Sequence, residues 1–447
     1  MANVVQGQFN EVSIWDRRLA AALLFSAVIF GLLPSGFNWS DFEDSSTYVG
    51  GSIGYQLQWG SVFAVSAFLC WRYRDRAFAI LRFSNPFMWI LFVYCMVSTL
   101  WSPYELVTLK KAVQVGGLVA FSIAIQVDRS SWRDTFKVML FAFTSIEIAS
   151  ALVAILNPSM GIDADFGYAW RGVVSGKNTL GAIGALSLLM WVALWDDQTL
   201  SPSVWRVGVF FSVLCVVMST SSTSITMAAV GVLVYWILYK QHIGSPLWLQ
   251  RLVVMLVLLV VAALHLFFIL EGRLPEQSEI IGPFATLFGK SADLTGRADI
   301  WAPLYVEIEK HWVLGIGYGA FWLGPDSPSQ PILDTLPWIP LQAHNGYLDV
   351  LNELGALGML LLVGLLFWHA RALYKLSSID RGAAAGFTAI LVTILLSNYS
   401  ESSLFRGVVF NFLLFVLTLT RVSAMVYAPV ESEFDEALTD QSNELRV

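Results

Sequence analysis

Apolar residues fall along this chain in long runs rather than in alternation with polar ones. Twelve runs approach the length needed to cross a hydrocarbon core of about 30 Å. They are 19–33, 55–71, 86–101, 112–127, 136–156, 178–195, 204–219, 223–239, 251–270, 346–368, 383–397 and 405–425. Such runs predict transmembrane helices, because a helix satisfies its own backbone hydrogen bonds in lipid. The pair across 204–239 also fits a re-entrant hairpin. The polar connections are short, except for one over 271–345. The pattern divides the chain into an N-terminal segment 1–18, spans one to nine over 19–270, the loop 271–345, spans ten to twelve over 346–425, and a tail 426–447. It predicts an all-α integral membrane protein with about 12 transmembrane helices.

The long loop is patterned. From Ala298 to His311, Trp301, Leu304, Tyr305 and Ile308 share one face, with Glu307, Glu309 and Lys310 elsewhere. That spacing predicts an amphipathic helix, lying on the outer membrane boundary or capping the spans. A stretch rich in Pro and Gly, 315–340, leads to the next run, which opens unusually. Asn345, Asp349 and Asn352 follow at i, i+4 and i+7 and form one helical stripe, with His344 and Glu353 beside it. Polar groups entering a bilayer on one face must look into protein or a water-filled cavity.

Composition agrees with the pattern. The chain is 56% hydrophobic and 13% charged, against roughly 25% charged in soluble domains. The net charge of −7 argues against nucleic acid as a partner, and much of it lies between Glu431 and Glu444, an acidic stretch that reads as disordered. Placing the N-terminus in the cytoplasm puts most of the 26 lysines and arginines on the cytoplasmic side. An even number of spans then returns the C-terminus there. Arg17-Arg18 precede the first run and no small-residue cleavage site follows, so that run reads as an uncleaved span. Cys70, Cys95 and Cys215 lie in apolar runs and offer neither a disulfide framework nor metal-ligand spacing.

Several chemical candidates have plain readings. Gly315-Ile316-Gly317-Tyr318-Gly319 follows no strand and falls outside the membrane, so it reads as a turn and not as a nucleotide loop. Glu147 inside the fifth span fits a proton relay or a structural hydrogen bond. His265 has no partner at ligand spacing and reads as a core histidine. For Lys110, Lys111, Lys177 and Arg406, snorkelling to headgroups and a place in a site both remain open. Arg171, Arg297 and His344 all fall on the outer side. Guanidiniums bind phosphate oxygens bidentately and histidine is the usual base near neutral pH. Together they point to an outward-facing site for a membrane-bound anionic substrate.

At these stretches the sequence resembles the O-antigen ligase and polymerase superfamily of bacterial envelopes, most closely the ExoQ-like exopolysaccharide polymerase branch. The resemblance rests on Arg171-Gly172 with Lys177-Asn178, on Thr295-Gly296-Arg297 followed by Ile300-Trp301, and on Leu314 to Gly319. It rests further on His344-Asn345-Gly346-Tyr347 with Glu353 to Gly358, on Trp101-Ser102, and on Ser400-Glu401-Ser402. One departure stands out. Related ligases carry an arginine in a Ser-Arg pair near the eighth span, where this chain reads Ser219-Thr220-Ser221-Ser222-Thr223-Ser224.

The resemblance implies a metal-independent glycosyltransferase in the bacterial inner membrane, with no cofactor and with a glycan on undecaprenyl diphosphate as donor. It carries the catalytic roles to Arg171, Arg297 and His344. Substrate contacts would come from Lys177, Asn178, Asn345, Asp349, Glu401 and Trp301. Trp301, Tyr305, Trp322 and Trp338 would stack on sugars or anchor at the interface. Partners would be the lipid-linked glycan, the bilayer, and flippase, export and chain-length proteins. The expected reaction joins repeats into an exopolysaccharide. The alternatives are a ligase transferring glycan to lipid A-core and a transporter of lipid-linked glycan or polysaccharide.

Overall fold

The apolar runs fold as helices. A computed structural model describes residues 12–34, 37, 52–128, 131–164, 167–240, 297–336 and 338–427. The expected span 251–270, His265, the loop up to Gly296, the N-terminal residues through Glu11 and the tail from Ala428 lie outside the described residues.

In chain order the helices of ten residues or more are α1 (Ile14–Leu32), α2 (Ile53–Arg72), α3 (Arg74–Phe83), α4 (Pro86–Val97), α5 (Glu105–Ala124), α6 (Trp132–Leu156) and α7 (Lys177–Ala193). They continue with α8 (Pro202–Met218), α9 (Ser222–Lys240), α10 (Arg297–Lys310), α11 (Gly346–Ile379), α12 (Arg381–Ser400) and α13 (Phe410–Tyr427). Short polar side chains start many of them. Ser13, Ser52, Asn85, Ser131, Ser201, Asn345 and Asp380 each accept a backbone N–H of the first turn, which satisfies donors that would otherwise be orphaned.

Six of the described helices, α5, α6, α9, α11, α12 and α13, are long and apolar enough to cross a membrane. The protein is an all-α, multi-pass membrane protein. The shorter α7 and α8 are also apolar, and α3 meets the continuous segment Pro86–Leu100 at a 96° bend. The 204–239 region forms two separate helices, with α7 packed against both. α12 packs on α9 and α11, while α13 packs on α5 and α11. Large apolar side chains point outward along α6 (Phe141, Leu152, Ile155) and α8 (Val207, Phe210, Val217). A contiguous outward apolar surface suits lipid.

Glu147 is fully buried on α6. Its carboxylate lies 3.3 Å from the Ser212 hydroxyl, itself 2.8 Å from that of Ser187. Its side-chain hydrogen-bond partners among the described residues are hydroxyls, which fits the structural reading of this carboxylate.

Two features shape the site, the first within what the sequence pattern allowed and the second a departure from it. First, α10 caps the bundle. Ile300, Trp301, Leu304 and Ile308 are buried in a second small core with Ile316, Phe321, Trp322 and Ala343, and Tyr305 is half exposed. Second, the stretch from Glu401 to Val409 is not helical, although the apolar run begins at 405. Asn398 explains this. Its Oδ1 accepts the backbone N–H of Ser403 and Leu404, each at 3.0 Å, and lies 3.2 Å from the Ser403 hydroxyl. Those bonds end α12 in a loop before α13 can start.

Gly315-Ile316-Gly317 does more than turn. It lies along a break in α11 at Gly355, where φ is 66° and ψ −170°. Ile316 and Gly317 donate to the carbonyls of Asn352 and Glu353 at 3.0 Å. Beyond the break, Ala356 and Leu357 donate to those of Trp312 and Val313 at 2.7 and 3.1 Å. A Cβ on Gly315 would lie 2.3 Å from the Glu353 carbonyl, and one on Gly355 2.3 Å from the Val313 oxygen. The two glycines let loop and helix satisfy each other's backbone.

Candidate active site

His344 adopts φ 50°, a left-handed conformation uncommon for a side-chain-bearing residue. Its neighbours hold it there. The Trp301 indole donates to the Ala343 carbonyl at 2.7 Å. The Ala343 N–H points to Asp349 Oδ1 at 3.3 Å. Asn345 caps α11, accepting from Tyr347 and Leu348 at 3.0 and 3.2 Å. Gly346 presses on Asn398 so closely that a Cβ would come within 2.0 Å of its Oδ1. That approach brings the start of α11 onto the loop that carries Glu401.

The result is a pair between distant parts of the chain. His344 Nδ1 lies 3.1 Å from Glu401 Oε2. Gln342 Nε2 donates to the same oxygen at 3.2 Å, and Asn178 Nδ2, on the first turn of α7, donates to Oε1 at 2.8 Å. With Nδ1–H donating to the carboxylate, the tautomer set by this partner leaves the lone pair on Nε2. The arrangement orients an imidazole as a proton acceptor, in the manner of a base held by an anchored carboxylate. Both side chains are about a quarter exposed, so the pair is reachable.

Asp349 is turned inward. It accepts from the Trp322 indole at 2.7 Å and lies 3.5 Å from Arg406 Nη1. A second guanidinium nitrogen of Arg406 donates to the Leu341 carbonyl. Lys111 donates to the Gly319 carbonyl at 2.7 Å, and Glu353 accepts the Gly319 N–H at 2.7 Å. Lys111 therefore braces the loop rather than reaching for headgroups.

A cavity of about 760 Å³ opens beside the pair, within the range of small-ligand sites. Asn178, Gln342, Glu401 and Arg406, with Ser221, Thr223 and Ser224, supply polar lining. Leu32, Ile183, Leu186 and Met227 supply apolar wall. Helices α2, α7, α9 and α13 begin at this cavity, while α1 and α12 end there. Helix N-termini carry partial positive charge, so the balance of ends favours an anion.

The expected site residues are distributed as follows. The fold unites Asn178, His344 and Glu401. Asn345 and Asp349 support the backbone beside them, and Trp301 is buried as a strut. Lys177 opens α7. Arg171 follows a two-residue antiparallel pair, β1 (Ile162–Asp163) with β2 (Ala169–Trp170), and its guanidinium donates to the Met160 carbonyl at 2.8 Å. Arg297 is the first residue of α10. The sequence pattern left out Gln342 and left Arg406 between headgroup snorkelling and a place in a site. The available signal was their nearness in sequence to His344 and to the Ser-Glu-Ser segment.

Residues 207–363 match the family model described as O-antigen ligase. The match covers about a third of the chain and supports the likeness to the O-antigen ligase/polymerase superfamily. The matched segment runs from α8 into α11 and includes Arg297, His344 and the polar stripe of α11. Arg171, Asn178, Glu401 and Arg406 lie outside it. No curated protein matches the chain.

Trp301 offers a direct test of strut against sugar platform. Phe at this position keeps a ring for stacking but removes the N–H to Ala343. As a strut, Trp301→Phe should lower the thermal midpoint and cost about 1–3 kcal/mol, the penalty for an unsatisfied buried carbonyl. As a platform, it should keep the stability and alter glycan binding instead. Thermal unfolding of the purified protein followed by size-exclusion chromatography separates the two.

Proposed function

We propose that this protein is a polymerase of the bacterial inner membrane, with both termini cytoplasmic. It joins oligosaccharide repeats carried on undecaprenyl diphosphate into an exopolysaccharide at the periplasmic face. One observation carries the reading. A histidine–carboxylate pair stands at the edge of a cavity that has both hydrogen-bonding and apolar walls, as a lipid-linked sugar requires.

In this reading His344 Nε2 takes the proton of an acceptor hydroxyl, whose oxygen forms a bond to the donor's anomeric carbon. The bond from that carbon to the phosphate oxygen breaks, and the diphosphate leaves with the electron pair. Arg171 and Arg297 stabilise the charge that develops there. Glu401 holds the imidazole and balances the imidazolium. Asn178 and Gln342 fix Glu401, Asn345 and Asp349 hold the backbone around His344, and Lys177, which opens α7, adds a substrate contact. The flippase, export and chain-length proteins are proposed partners.

The match to a model described as O-antigen ligase favours a second reading, transfer of finished glycan to an acceptor such as lipid A-core. Mass spectrometry of lipid-linked glycans from cells lacking the protein decides. A polymerase leaves single repeat units accumulating at the periplasmic face. Long lipid-linked chains awaiting an acceptor would mean a ligase. Single units held on the cytoplasmic face would mean a transporter and remove the catalytic reading.

A further inference from the structure

Among the described residues lining the cavity, Arg406 is the one cationic side chain. It lies in the loop between α12 and α13, lines the cavity together with Gln342 and Glu401, and its side chain is 29% exposed. A guanidinium carries five N–H donors in a planar fork. Two contacts are seen here, one to the Leu341 carbonyl and one to Asp349 at 3.5 Å. The second is long for a charge-assisted bond, which closes to about 2.7–2.9 Å when well made. Asp349 also serves the Trp322 indole and the Ala343 N–H, so its charge is shared.

The anchoring bonds fix the guanidinium at the cavity wall and leave donors for a ligand. The hydroxyl of Thr223, the amide of Asn411 and the starts of four helices line the same cavity. A fixed cation, neutral donors and helix N-termini around one volume form an anion site. The apolar wall of Leu32, Ile183, Leu186 and Met227 suits an anion attached to a lipid chain.

We propose that Arg406 binds the diphosphate of a polyprenyl diphosphate within this cavity, as a cation additional to Arg171 and Arg297. The inference rests on the donor reading under Proposed function. It makes Arg406 a recognition residue for the phosphate oxygens and neither a lipid-headgroup snorkeller nor a purely structural ion-pair partner.

The full-length protein in detergent, analysed by native mass spectrometry, tests it with undecaprenyl diphosphate and undecaprenol as probes. Wild type should retain the diphosphate over the alcohol. Arg406→Gln should reduce that preference by about tenfold or more, the equivalent of one charge-assisted hydrogen bond, with alcohol retention unchanged. Arg406→Lys should restore part of it. An undiminished preference in Arg406→Gln overturns the inference, as does an equal loss of both lipids.

Should the Gln variant not fold, wild-type protein gives the answer through arginine-selective labelling with phenylglyoxal, read at the Arg406 peptide. Protection by inorganic pyrophosphate shows recognition of the diphosphate alone. Protection only by undecaprenyl diphosphate shows recognition of the lipid-carried group. Protection by neither overturns the proposal. Wild type that retains both lipids equally would instead defeat the donor reading itself.

Discussion

Replacing His344 by asparagine is expected to lower polymer synthesis by about 10²–10⁴-fold, the usual contribution of a positioned general base, while the protein stays folded in the membrane. Asparagine suits the test because it tolerates the left-handed φ of 50° better than most residues. The bonds from Trp301 and Asp349 to Ala343, and the Asn345 cap, involve no atom of the imidazole. The variant thus removes the acceptor nitrogen and keeps the loop. Glu401→Gln should fall in the same direction by less, because a neutral amide orients the ring without balancing its positive charge. The measurement is polymer per unit of membrane-resident protein in a strain complemented with each variant. Near-normal polymer from His344→Asn would remove His344 from the chemistry.

The largest structural effect is expected at Gly355. Its φ of 66° and ψ of −170° belong to a region that only glycine occupies readily, and forcing a side chain there costs roughly 1–3 kcal/mol from strain alone. The new Cβ would also lie 2.3 Å from the Val313 oxygen and 2.5 Å from the Gly315 nitrogen. Moving that loop away breaks the bonds from Ala356 to Trp312 and from Leu357 to Val313. Each backbone group left unsatisfied at membrane depth costs about 1–3 kcal/mol more. The sum approaches the total stability of a typical domain, about 5–15 kcal/mol. Gly355→Ala should therefore abolish monodisperse protein in detergent. Gly60→Ala is the control: nothing stands within 4 Å of its Cβ, and a helical Gly→Ala change usually helps by about 0.5–1 kcal/mol. Equal recovery of the two variants would show that the break in α11 is not needed.

The helices were legible because their cause is local. Lipid demands long apolar runs whose backbone bonds close within the segment, and short polar residues mark their starts. Each expected run within the described residues has a helix over most of its length. The run at 405–425 misled over its first residues because Asn398, on the preceding helix, holds Ser403 and Leu404 in a loop. The amphipathic face of α10 was equally plain, but its period could not say what the face would meet. The structure pairs it with Phe321, Trp322 and Ala343 instead of the membrane surface.

For the site, the sequence by itself fixed the residue types. Its imidazole, its carboxylate in Ser400-Glu401-Ser402, the polar opening of α11 and the superfamily likeness were all readable in order along the chain. Tertiary structure alone decided their partnership. Asn178, Gln342, His344 and Glu401 meet because Gly346 permits the start of α11 to touch Asn398 and because Trp301 ties down Ala343. Neither contact has a sequence period, since both join segments far apart in the chain. The same holds for Arg406, whose surroundings come from a loop on one side and helix starts on the other. Hydrophobic periodicity encodes which way a segment faces. Close approach between segments depends on the shapes of both and appears only when the chain is packed.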